Sequence, residues 1–139
     1  MNKFTRKACE KIRNNINTIE SIITNIDYNN SKNENMKELL TFLKIDCVPN
    51  LRTIHYETCA KLEKEDDSNY EKYKTPTDID TLVQKSSNFT QYIKDIVENN
   101  KFQFLNSVLY EYSRILDLAI EEKIIINKNN LKNNYKLEL

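Results

Sequence analysis

Ile12-Arg13-Asn14-Asn15-Ile16-Asn17-Thr18-Ile19-Glu20-Ser21-Ile22-Ile23-Thr24-Asn25-Ile26 is the stretch that decides the fold. Ile12, Ile16, Ile19, Ile23 and Ile26 step by four and three, which sets them on one stripe of an α-helix. Phe4 and Ala8 extend the stripe backwards, and the spacing predicts a helix over residues 2–27, about 39 Å long at about 1.5 Å per residue. The alternation of four and three is also the spacing of a coiled-coil seam. Tyr28-Asn29-Asn30-Ser31 ends the helix, with asparagine taking the left-handed conformation that glycine usually takes.

Glycine is absent from all 139 residues, where about ten are expected at roughly 7%. Its absence removes the P-loop, the dinucleotide fingerprint, the nucleophile elbow and the usual calcium loop. It also speaks against a β-rich fold, whose tight hairpins lean on glycine. The chain is 39% apolar and 30% charged, with 21 basic and 21 acidic side chains. That balance suits a single globular domain and lacks the positive excess of a dedicated nucleic-acid binder. Abundant Asn, Ile and Lys beside scarce Ala point to an AT-rich genome. No apolar run exceeds three residues, so neither a membrane span nor a signal peptide is expected. Cys9, Cys47 and Cys59 form an odd set with no close pair. The expectation is therefore free thiols and a cytoplasmic location.

Further helices follow from the same periodicity. Met36, Leu39, Leu40 and Leu43 share one side of a short second helix. Asp46 is placed to cap a third, with Pro49 in its first turn and Val48, Leu51, Ile54, His55, Thr58 and Leu62 on its face. That helix is expected to fray in Glu63-Lys64-Glu65-Asp66-Asp67-Ser68, because acidic residues oppose the dipole there. Thr77 with Asp80 starts a fourth helix carrying Ile79, Leu82, Val83, Ser86, Phe89, Ile93, Ile96 and Val97. After Asn99-Asn100, a fifth holds Phe102, Leu105, Val108, Leu109, Tyr112, Ile115, Leu116, Ala119 and Ile120. Its wide apolar arc marks it as the most central helix. The predicted fold is all-α, a bundle of about five helices over residues 1–123. Residues 124–139 are read as a tail, either frayed or docking on a partner. Its Tyr135-Lys136-Leu137-Glu138-Leu139 alternates with period two, the pattern of a short extended segment.

Few residues carry chemistry. His55 and Cys59 lie four apart on one helix, and with Cys9 and Cys47 they make a nitrogen-and-three-sulfur zinc set. The Cys-x-x-Cys spacing that makes such a set strong is missing, so no metal and no cofactor are expected. The same pair lacks the oxyanion donors and third residue of a nucleophilic site. No catalytic residue emerges, and the chain is not read as an enzyme. Contact with another protein is the function this composition suits, as an assembly subunit, adaptor or inhibitor. Phe104, Tyr110 and Leu118 lean off the main stripe of the fifth helix and are the candidate partner-binding residues, rimmed by Lys3, Arg6 and Lys7. The coiled-coil-like seam of the first helix also permits a homo-oligomer, with that helix or the tail presented outward. The alternative is a nucleic-acid-associated subunit, using the basic half of the first helix to track phosphates.

Overall fold

A computed structural model describes residues 3–29, 33–69 and 77–125. The fold is all-α, with no strand among the described residues. Helix α1 spans Lys3–Asn29, α2 Glu34–Phe42, α3 Val48–Asn69, α4 Thr77–Glu98 and α5 Leu105–Glu121. Asn33 caps α2, its Oδ1 accepting from the N–H groups of Asn35 at 2.9 Å and Met36 at 3.2 Å.

The second and third helices are not separate. They join through a π turn, Leu43–Cys47, in which the Val48 N–H donates to the Leu43 carbonyl. Pro49 explains the irregularity. A proline inside a helix brings no N–H and pushes its ring toward the carbonyl four residues back. One extra residue in the preceding turn absorbs both problems while the axis runs on. Asp46 is therefore not a cap; it is buried inside the bundle. The third helix also continues through the acidic stretch to Asn69. A charge opposing the dipole costs only about 0.3–1 kcal/mol, too little by itself to end the helix.

Cross-contacts give the topology of four rods. Cys9 meets Cys59 and Glu20 meets Arg52, so α1 and α3 run antiparallel. Asn15 Nδ2 donates to Ser87 Oγ at 3.1 Å, tying α1 to α4. Asp46 and Asn50 meet Tyr112, while the Lys61 ammonium donates to the Glu122 carbonyl, so α3 and α5 run in the same direction. Around the bundle the order is α3, α1, α4, α5 and back to the α2–α3 rod, with α1 and α5 on a diagonal.

Helix α1 is a stave of the core and is not presented outward. Ile12, Ile16, Ile19, Ile22 and Ile26 are all buried, facing α3 and α4. Each contributes about 1.5–3 kcal/mol of apolar transfer. Ile22 is more buried than Ile23, because a straight helix of 3.6 residues per turn drifts from a strict 3.5 repeat. The seam that suggested a homo-oligomer is thus filled by the chain's own helices. Helix α5 shares the interior instead of monopolising it.

Two turns solve the glycine problem. Asn100 and Lys123 hold φ of 54° and 57°. After each, the chain closes back on the helix: Lys101 N–H donates to the Ile96 carbonyl at 2.9 Å, and Ile124 N–H to the Ala119 carbonyl at 2.8 Å. These are Schellman closures with an asparagine and a lysine in the glycine position. The second folds Ile124 and Ile125 into the core, each 5% exposed, so the packed unit runs to at least residue 125. The alternating segment 135–139 lies outside the described residues.

Candidate functional site

The sequence-predicted contact residues do not form one patch. Tyr110 points outward from α5, 51% exposed, with the Arg114 guanidinium 5.9 Å from its ring centre. Arg114 also approaches Glu111 at 3.9 Å. Beside this group a cleft of about 310 Å³ opens between α4 and α5, lined by Lys85, Asn88, Tyr92, Glu111 and Arg114 over a floor of Phe89 and Ile115. Phe104, 43% exposed, sits in the 3-10 turn Phe102–Phe104 before α5. At 100° per residue it is turned about 120° from Tyr110 around that axis. Leu118 is half-buried and packs against the core, so it serves folding first.

Arg6 and Lys7 are exposed in the second turn of α1. Lys3 starts that helix, and its side chain lies outside the described residues. Because α1 and α5 are diagonal, this basic group does not rim the Tyr110 face. It flanks a different opening. Between α1 and α3 lies a cleft of about 450 Å³ lined by Arg6, Cys9, Glu10, Arg13, His55, Tyr56, Cys59 and Ala60. Tyr56, 70% exposed, is the most exposed of the large apolar side chains in the described residues. It falls on the wet side of its helix between His55 and Glu57, where the helical period assigns no role, and sequence reasoning passed over it.

The thiols are not all free. Cys9 and Cys59 form a disulfide, with Cα atoms 5.9 Å apart and a sequence separation of 50. Antiparallel packing of α1 on α3 brings them together, which their spacing alone conceals. The argument from unpaired thiols for a reducing compartment falls with it. His55 Nδ1 lies 3.8 Å from Cys59 Sγ. Partial burial, and then the nearby Arg13 charge, hold the imidazole below its ordinary pKa of 6.5. Cys47 is buried apart from this cluster, and among the described residues no group of three or more His, Cys, Asp or Glu side chains is arranged to hold a metal ion. The four-residue zinc set is not assembled.

Inside the bundle sits a polar group that the sequence does not announce. The Tyr112 hydroxyl donates to Asp46 Oδ1 at 2.5 Å, and Asn50 Nδ2 donates to Asp46 Oδ1 at 2.9 Å and to the Tyr112 oxygen at 2.8 Å. Phe42 meets the Tyr112 ring edge-on, with centroids 4.9 Å apart. Burial drives the Tyr112 phenol far above its ordinary value, and the neighbouring Cys47 adds to the shift. Burial likewise raises the Cys47 thiol, helped by the Asp46 charge. Both groups stay protonated, and a buried thiol of this kind is inert. The cluster locks α5 to the π turn.

Compared with known proteins, the chain matches no family model, no curated protein and no solved structure. Among the described residues no helix is long and apolar enough to cross a membrane.

Proposed function

We propose that the chain is a protein–protein contact module, acting as an assembly subunit, adaptor or inhibitor and not by catalysis. The observation that carries this reading is the α4–α5 face. The helix stripes are already occupied by one another, yet Tyr92 and Arg114 line a cleft on the outside, and the exposed Tyr110 ring lies beside it, 5.9 Å from the Arg114 guanidinium. Tyrosine and arginine dominate the energetics of protein interfaces, because each buries a large area and keeps a polar handle. The homo-oligomer reading loses the seam on α1 that supported it, and the proposed partner is a different protein.

Affinity purification from the native cell tests it, comparing the wild-type chain with a Tyr110→Ser/Arg114→Ser variant of unchanged melting temperature. A stoichiometric partner retained by the first and lost from the second is expected. Identical companions for both would contradict the reading.

Nucleic-acid association is the second reading, favoured by Arg6, Lys7, Lys11 and Arg13 all being exposed on α1. Phosphate binding would weaken by orders of magnitude between about 50 and 200 mM salt. No shift of any nucleic acid at low salt would end it.

A further inference from the structure

We propose that the cleft over the Cys9–Cys59 bond is a thiol–disulfide exchange site for a small thiol of net negative charge. The disulfide lines an open cleft of about 450 Å³, within the size range of small-molecule sites. Arg6 and Arg13 lie three residues before and four after Cys9, so all three side chains share one face of α1. Among the described residues neither guanidinium is spent on an ion pair. Glu10 on the same rim offers a place for an ammonium group. Two cations, one carboxylate and an electrophilic sulfur suit a thiol that carries carboxylates and an amine. Of the two sulfurs, that of half-buried Cys59 is the more open to attack, Cys9 being 7% exposed.

A thiolate RS⁻ attacks Cys59 Sγ, forming RS–SγCys59 and breaking the bond to Cys9. The bonding pair leaves on Cys9 Sγ, a thiolate flanked by Arg6 and Arg13, and a stabilised leaving thiolate speeds exchange. A second RS⁻ attacks the thiol-derived sulfur, RSSR departs, and Cys59 leaves as thiolate. The two protons released by the incoming thiols end on Cys9 and Cys59. In sum two RSH reduce one protein disulfide, with two electrons passing to the protein. His55 Nδ1, 3.8 Å from Cys59 Sγ, is the nearby base for the incoming thiol.

The test uses the full chain after oxidation with diamide, opened by glutathione or by 2-mercaptoethanol at equal thiolate concentration and quenched by alkylation. Peptide mass mapping is expected to place the transient adduct on Cys59. Glutathione should react about fivefold faster than the neutral thiol, the gain two partly screened cations can provide. That ratio should fall to about one in Arg6→Gln/Arg13→Gln and persist in Lys94→Gln/Lys101→Gln, which loses the same net charge elsewhere. Failure of the Cys9–Cys59 bond to form under diamide would overturn the proposal. So would equal rates for both thiols in the wild type, a ratio insensitive to the two arginines, or an adduct on Cys9.

Discussion

Tyr112 was legible as a core position of α5 and nothing more. Its hydroxyl needs a partner once buried, and that partner, Asp46, reads in sequence as a helix cap. The two meet only because α2 and α3 join at the π turn, a tertiary fact no local pattern holds. Removing the hydroxyl leaves the carboxyl of Asp46 short of one donor in a dry site. Tyr112→Phe should therefore cost about 1–3 kcal/mol, read from urea unfolding; a neutral result would contradict the network. The same neighbourhood sets an alkaline limit. Cys47 and Tyr112 stay protonated in the fold, whereas the unfolded chain releases protons near the ordinary values of 9.0 and 10.0. Above the first value the unfolded state binds fewer protons, so stability is intact below it and falls as pH rises. The slope is about 1.4 kcal/mol per pH unit for each group. Cys47→Ala should delay the onset toward the tyrosine value; an onset unmoved by the substitution would contradict the assignment. Thr58 is the opposite case, a buried hydroxyl with no hydrogen-bond partner among the described residues. Thr58→Val is expected to be neutral or to stabilise by up to about 1 kcal/mol, measured the same way, and a clear loss would reveal a partner.

At the scale of elements, periodicity located each α-helix of the described residues and misjudged the junctions. Asn99-Asn100 was readable as a break because asparagine tolerates the left-handed region. Lys123 was not, since lysine carries no such preference, and its φ of 57° is imposed by Ile124 and Ile125 docking on the core. The sequence 124–126 therefore reads as the start of a tail, although two of its residues are packed. Relieving the backbone at that point should help. Lys123→Gly is expected to stabilise by about 0.5–1 kcal/mol, raising the melting temperature by roughly 2–4 °C. A lower melting temperature would show that the closure is made differently.

For the whole molecule, fold class followed from stripes and missing glycine, while arrangement did not. A stripe reports that a face is buried, not what buries it, so the isoleucine seam of α1 reads equally as a bundle core or as an oligomer contact. Packing of α1 between α3 and α4 resolves that choice, pairs Cys9 with Cys59, and separates the basic residues of α1 from Tyr110 on the diagonal helix. Phe104 and Tyr110 are legible in the sequence as exposed side chains because they break the apolar stripe of the fifth helix. The exposure of Tyr56 and Arg114 is not, because a residue on a wet face leaves no periodic trace. The central claim is that α1 is an inner stave of the bundle, packed between α3 and α4. Hydrogen exchange read by mass spectrometry tests this most directly, since protection reports local opening free energy. Peptides covering residues 12–26 should exchange as slowly as those covering 108–119, through global unfolding. Rapid exchange over residues 12–26 with α4 and α5 still protected would contradict the account.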